Sequence, residues 1–301
     1  MLRVERFFIL TIFISTNKIS TITNYLKQNS MNKTFKTILF ATLIASMSGC
    51  EIEPKQDLPK RSYELVWSDE FEGDKGTAIN NAKWVYDLGT GQGGWGNNEQ
   101  QSYTNKPENV ALDGTGNLAI TAIKDGSGKF TSARIKTDGI FSQQYGRIEA
   151  RIKTPTGSGI WPAFWMLGSN ISSVSWPQCG EIDIMEQNGK FSNITYGTIH
   201  GPGYFGGNGN STSYAMQNNR FDSDFNLYAV EWGENYIEFF VNNYLYKRVT
   251  SSDVSGEWVF NQPFFIILNV AVGGNFVGPT NPYTPFPGIM LVDYVKVYKE
   301  K

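Results

Sequence analysis

An all-β domain of two stacked antiparallel sheets is the fold expected of this chain. Helical periodicity is nearly absent, short alternating runs are frequent, and Gly, Asn and Asp punctuate those runs at close intervals. In YGRIEARIK, Tyr145, Arg147, Glu149, Arg151 and Lys153 share one face of a strand. Gly146, Ile148, Ala150 and Ile152 share the other, so the alternation is clean. YAVEWGENYIEFFVNNYLYKRV, residues 228–249, reads as three strands joined by turns at Gly233-Glu234-Asn235 and Asn242-Asn243. PFFIILNVAV, residues 263–272, is a nearly continuous apolar run and suits a strand covered on both sides. IMLVDYVKVYK, residues 289–299, closes the chain as another alternating strand.

Composition excludes several functions. The chain has 301 residues, 40% of them hydrophobic, and a formal net charge of −2. A nucleic-acid partner needs clustered Lys and Arg, which that balance disfavours. One histidine, His200, cannot supply a multi-His zinc centre. Two cysteines, Cys50 and Cys179, give no disulfide framework, and Cys179 is expected to be a buried free thiol outside the chemistry. Many of the 8 Trp, 15 Tyr and 20 Phe lie in Gly- or Asn-rich loops. Rings and amides together stack on and hydrogen-bond to sugars, although many of these rings must be core.

The N-terminus reads as a targeting region. Residues 1–30 carry an apolar run, FFILTIFI, and are expected to be an upstream extension ahead of a true start at Met31. Residues 31–49 read as a signal: Lys33 and Lys36 precede an apolar core, Ile38 to Ala45. Met47-Ser48-Gly49-Cys50 resembles a bacterial lipobox, so Cys50 is the expected lipidation site. An exported lipoprotein at the outer membrane or cell surface follows, or a secreted protein if the lipobox is unused. Residues 50–61 read as a tether and 62–301 as one domain.

The chemistry is concentrated in CGEIDIMEQNG, residues 179–189. Glu181 and Asp183 are two apart and share a strand face. Glu186 is five from Glu181 and points the other way unless one residue near Ile184 or Met185 is bulged out. With that bulge, three carboxylates project in a row. Like charges so close cannot all ionise, so at least one proton is retained. One Glu can then be a nucleophile and the other a general acid, as glycoside hydrolysis requires. A solvated polar face and a Ca²⁺ site are the alternatives that the three acids alone leave open.

The surrounding segments resemble glycoside hydrolase family 16, in its laminarinase-like endo-β-1,3-glucanase branch. WSDEF, GGWGNNEQQSYT, YGRIEARIK, GIWPAFWML, the bulged motif E-x-D-x-x-E, TIHGPGY, ILNVAVGGNF and VDYVKVY occur in the family's order. The resemblance implies a concanavalin A-like jelly-roll sandwich with a concave substrate groove. It makes Glu181 the nucleophile, Glu186 the acid/base and Asp183 the helper between them. Trp161 and Trp165, four apart, would line the sugar sites beside the cleavage point. His200 matches a position near the acid/base. Asn97, in a loop with Asn98, Glu99 and Gln100, is read either as a sugar ligand or as a turn former. Arg147 is read as a groove residue or as a solvated charge.

The same resemblance implies retaining hydrolysis of β-1,3-glucan by a monomer, without a catalytic cofactor. Mixed-linkage β-1,3-1,4-glucan is a further expected substrate. A structural calcium is implied near Glu70, Gly114 and Asp293. The stricter lichenase-type branch lacks the extra residue in the motif. Phe276 stands where the branch commonly has Trp. Agarases, porphyranases and carrageenases share the scaffold, so a galactan is one alternative substrate. A non-catalytic glucan-binding surface protein is the other alternative, disfavoured because both glutamates are present.

Overall fold

Residues 56–301 are those that this computed structural model describes, and they form seventeen strands. The first are β1 (Tyr63–Asp69), β2 (Val85–Asp87), β3 (Gln101–Tyr103), β4 (Val110–Leu112), β5 (Leu118–Lys124) and β6 (Phe130–Ser132). Next come β7 (Arg134–Lys136), β8 (Gly146–Lys153), β9 (Ile160–Gly168), β10 (Glu181–Glu186), β11 (Ile194–His200) and β12 (Asn210–Ala215). The last are β13 (Asn226–Gly233), β14 (Tyr236–Val241), β15 (Tyr244–Thr250), β16 (Phe264–Val272) and β17 (Gly288–Glu300). The expected signal, the lipobox and Cys50 lie outside the described residues.

A seven-stranded sheet runs β12-β11-β10-β9-β16-β7-β2. A ten-stranded sheet runs β15-β14-β13-β8-β17-β5-β6-β3, with β1 on β17 and β4 on β5. The pairs are antiparallel except β3 with β6. Inner-face residues of the two sheets share one core. Ile148, Ala150 and Ile152 of β8 and Val292, Val295 and Val297 of β17 meet Phe164 and Met166 of β9 and Ile266, Leu268 and Val270 of β16. Truncating Phe164 to Ala in this core costs about 3–5 kcal/mol. The result is a jelly-roll sandwich.

Sequence patterns map directly onto several elements. Every residue of β16 is buried, as its apolar run requires. Its inner face meets the core, while Phe265 and Ile267 of its outer face form a smaller cluster with Leu167 and Cys179. Asn242 and Asn243 both adopt left-handed φ, 51° and 66°. This tight hairpin turn favours Asn at each place.

The tether differs from expectation at its C-terminal end. The Gln56 side chain donates to the Leu245 carbonyl at 2.8 Å and accepts the Leu245 N–H at 2.7 Å. Arg61 pairs with Glu231 and Glu238 and lies over the Tyr236 ring. Charged and proline-bearing composition reads as a linker. It does not reveal that these two side chains find partners on the edge of the ten-stranded sheet.

Candidate active site

The floor of the site is β10, and its geometry follows from one extra residue. Asp183 pairs with Thr198 of β11, but Glu186 pairs with Tyr196, so three steps on β10 match two on β11. Against β9, Asp183 faces Trp165 and Met185 faces Phe164, which leaves Ile184 as the bulged residue. Ile182, Ile184 and Met185 all enter the core. Glu181, Asp183 and Glu186 all line one groove of about 920 Å³ on the outer face of the seven-stranded sheet. The bulge costs no apolar burial, because Ile184 and Met185 pack inward together.

The acid row sits in a low-dielectric setting that disfavours charge. Burial, then the Asp183 charge, pushes Glu181 up to about 8, with His200 opposing. Burial pushes Asp183 up to about 7, against a hydrogen bond with Glu181 and the charge of Lys247. Burial, followed by Asp183, holds Glu186 well above the ordinary carboxylate range. Glu181 and Asp183 share a hydrogen bond, and all three acids hold their protons above the ordinary carboxylate range.

Three groups of side chains surround this row. At the Glu186 end, the Trp161 indole donates to Glu186 Oε1 at 3.0 Å. The Phe276 ring lies 5.3 Å from Trp161 and 5.4 Å from Tyr196. Phe276 therefore supplies an aromatic surface, 38% exposed, at the position where the resembled branch commonly has Trp. At the Glu181 end, His200 Nε2 lies 3.2 Å from Asp183 Oδ2 and 3.8 Å from Glu181 Oε1. Trp176 lines the groove beside Glu181, whose carboxylate its indole favours, and packs edge-on against Phe205. Gly209 closes over the His200 ring so tightly that any side chain there would collide with it.

The third group lies across the groove. Arg134 is stacked between Trp95 at 4.6 Å and Trp165 at 4.8 Å, and its Nε reaches Asp87 at 2.9 Å. The Trp165 indole donates to Asn269 Oδ1 at 2.8 Å. Asn269 in turn donates to the Tyr103 hydroxyl at 3.1 Å, and that hydroxyl donates to Glu99 at 3.1 Å. This chain fixes the plane of Trp165. Asn97 lines the groove, and its carbonyl accepts the Asn275 N–H at 2.8 Å, so it serves both as a wall residue and as a loop anchor.

The structure thus brings Glu181, Asp183, Glu186, Trp161, Trp165, His200 and Asn97 to one groove, and it moves Arg147 elsewhere. Arg147 is on the outer face of β8, in the opposite sheet, bonded to Glu149 at 2.7 Å, Glu231 at 3.0 Å and Asn243 at 2.9 Å. Alternation identified its polar face correctly, but alternation does not say which sheet a strand joins. Glu99, named with Asn97 in the same loop, also lines the groove, whereas Arg134, Trp95, Trp176, Tyr196 and Asn269 were missed. Of these, Trp176 had a readable signal, a lone large ring five residues before Glu181. The others are brought together only by sheet pairing.

The residues expected to hold calcium do not fit an ion as they stand. Glu70 pairs with Lys296 at 3.2 Å, Asp293 pairs with Arg151 at 2.5 Å, and Gly114 packs against Lys75. Among the described residues, the one group of three His, Cys, Asp or Glu ligand atoms within 4.8 Å of one another is Glu181, Asp183 and His200. That group is the acid row itself. Cys179 is free and buried, and burial pushes its thiol up to about 11.

A buried acid row at the floor of an aromatic-walled groove is the constitution of a polysaccharide-cleaving sandwich protein. The model of glycosyl hydrolases family 16 matches residues 97–294. The chain is 38% identical over 272 residues to a β-glucanase of Rhodothermus marinus, covering 86% of this chain and 93% of that protein. It is 39% identical to the clotting factor G alpha subunit of Tachypleus tridentatus, covering 83% of this chain but only 35% of that longer protein. The laminarinase catalytic domain of Thermotoga maritima MSB8 superposes with a TM-score of 0.74 at 43% identity, over 79% of this chain and 99% of that one. The chain belongs to glycosyl hydrolases family 16.

Proposed function

We propose that this protein is a retaining endo-glycoside hydrolase that cleaves β-1,3-glucan, with mixed-linkage β-1,3-1,4-glucan as a second substrate. The observation that carries this reading is the bulge at Ile184, which puts Glu186 on the groove face with Glu181. Laminarinase and β-glucanase relatives support the substrate class. A glucan chain lies along the groove against Trp161, Trp165 and Phe276. Glu186, which burial keeps protonated, protonates the departing glycosidic oxygen. In the form in which Asp183 takes the proton that the two acids share, the Glu181 carboxylate attacks the anomeric carbon and forms a glycosyl ester. Glu186, now a carboxylate, takes a proton from water, which attacks that ester and releases the sugar. Asp183 and His200 hold Glu181 in place, and the Trp161 indole orients Glu186.

Sulfated galactans fit less well. Arg134 is the one guanidinium on the described groove wall, and it is already stacked and paired to Asp87. The reaction is complete within one chain, which supports action as a monomer. Anchoring through a lipid on Cys50 belongs to the same proposal, and Cys50→Ala is expected to release the protein from membranes. The experiment for the activity is proton NMR of laminarin during the first turnovers. New reducing ends should appear in the β configuration. Initial α product, or none, would overturn the reading.

A further inference from the structure

A second bulge lies on the opposite sheet. Phe239 pairs with Lys247 but Phe240 pairs with Leu245, so β15 carries one extra residue, Tyr246. Tyr246 and Lys247 consequently both turn toward the interior. The Tyr246 ring packs near Phe239 and Tyr214, and Lys247 is only 8% exposed. Arg248, the next residue, points outward to Glu238. The Lys247 ammonium lies 5.5 Å from the Phe239 ring centroid. It donates to the carbonyls of Gly197, at 3.4 Å, and Asn210.

Those carbonyls belong to β11 and β12, strands of the groove sheet. Gly197 immediately precedes Thr198, which faces Asp183 across the ladder. A side chain at Gly197 would collide with Tyr246 and Phe239, so glycine lets the two sheets approach here. Among the described residues, Lys247 makes no carboxylate ion pair. A buried cation held only by carbonyls is costly, and an apolar side chain would fill the same space without that cost. Its electrostatic counterpart is Asp183, which favours the charged lysine and is in turn favoured as a carboxylate.

We propose that Lys247 is a positioning residue for the reaction: a fixed positive charge behind the groove floor that acts through Asp183 to make the acid row release its protons at lower pH. The inference rests on the roles given to Glu181, Asp183 and Glu186 above. The titratable group facing Lys247 is Asp183 from β10; the neighbouring Tyr246 hydroxyl lies against Gly197, with Tyr228 of β13 near it. β11 and β12 present carbonyls, and β14 presents the Phe239 ring. Asp183 in turn faces Glu181, Glu186 and His200. Burial lowers the Lys247 ammonium to about 8, so its charge is present at neutral pH and fades above that value.

The test is the pH profile of kcat/KM on laminarin for the full chain and for Lys247→Met, Lys247→Gln and Lys247→Arg, each checked for folding by circular dichroism. Gln keeps a donor for the two carbonyls and removes only the charge. Met and Gln are expected to move the acid limb up by about one pH unit and to leave the alkaline limb, where the wild-type lysine has already lost its charge, nearly in place. Arg should keep the acid limb and, holding its charge above pH 8, move the alkaline limb down. An unmoved acid limb in a folded Met or Gln variant overturns the proposal. If neither neutral variant folds, an unmoved alkaline limb in the Arg variant does so. A wild-type chain inactive on laminarin counts against the proposed function instead. Carbon-13 NMR titration of the carboxyl groups then reads the same upward shift without substrate.

Discussion

The outer face of each sheet carries a cluster of three acids, and the two clusters are treated in opposite ways. On the ten-stranded sheet, Glu149, Glu231 and Glu238 each meet at least one guanidinium, from Arg147, Arg61 or Arg248. On the seven-stranded sheet, Glu181, Asp183 and Glu186 have no Lys or Arg within ion-pair distance among the described residues. Their polar neighbours are His200, two indoles and one another. Burial pushes all three upward in consequence, joined at Glu181 and Glu186 by repulsion from Asp183. Acids that are neutralised in place hold a sheet edge together. Acids left unpaired retain protons they can later transfer. The same residue types therefore serve structure on one face and chemistry on the other.

The largest effect that separates the faces is catalytic. Glu186→Gln should lower kcat on laminarin by about 10²–10⁴-fold while leaving thermal stability intact or improved. Loss of folding with no selective loss of turnover would erase the distinction.

Arg61→Ala, on the other face, should do the reverse. Glu231 keeps Arg147 and Glu238 keeps Arg248, but each loses one buried partner. Denaturant unfolding of the full chain should show a loss of about 1–3 kcal/mol with kcat unchanged. A fall in kcat without a fall in stability would place Arg61 on the chemical side of the comparison.

The smallest effect is a pH dependence of stability. Glu181 is about 8 in the folded protein and lies in the ordinary carboxylate range when unfolded. The unfolded chain therefore releases this proton first, and stability is lost as pH rises toward 8. Glu181→Gln removes that penalty. Its melting temperature should exceed the wild type by a few degrees at pH 8 and converge on it toward pH 5. A difference independent of pH would mean that Glu181 is not perturbed as described.

The groove floor was legible in the sequence because a period-2 pattern makes an inserted residue visible. Three acids alternating with Ile182, Ile184 and Met185 can share a face only with a bulge. Trp161 and Trp165 were legible for the same reason. The β15 bulge was not, because Tyr246 and Lys247 belong to a run that reads equally well with or without a slip. Arg147 was misplaced because alternation assigns faces within a strand and not membership of a sheet. Arg134 and Asn269 escaped because β7 and β16 meet only through long-range pairing. Signals that depend on one strand were readable, and those that depend on strand order were not.

The most direct test is to trap the glycosyl ester with a 2-deoxy-2-fluoro-β-glucoside bearing a good leaving group and locate it by peptide mass spectrometry. The account predicts one labelled residue, Glu181. Label on Asp183 or Glu186, or turnover without any trapped ester, would contradict the division of labour assigned to the acid row.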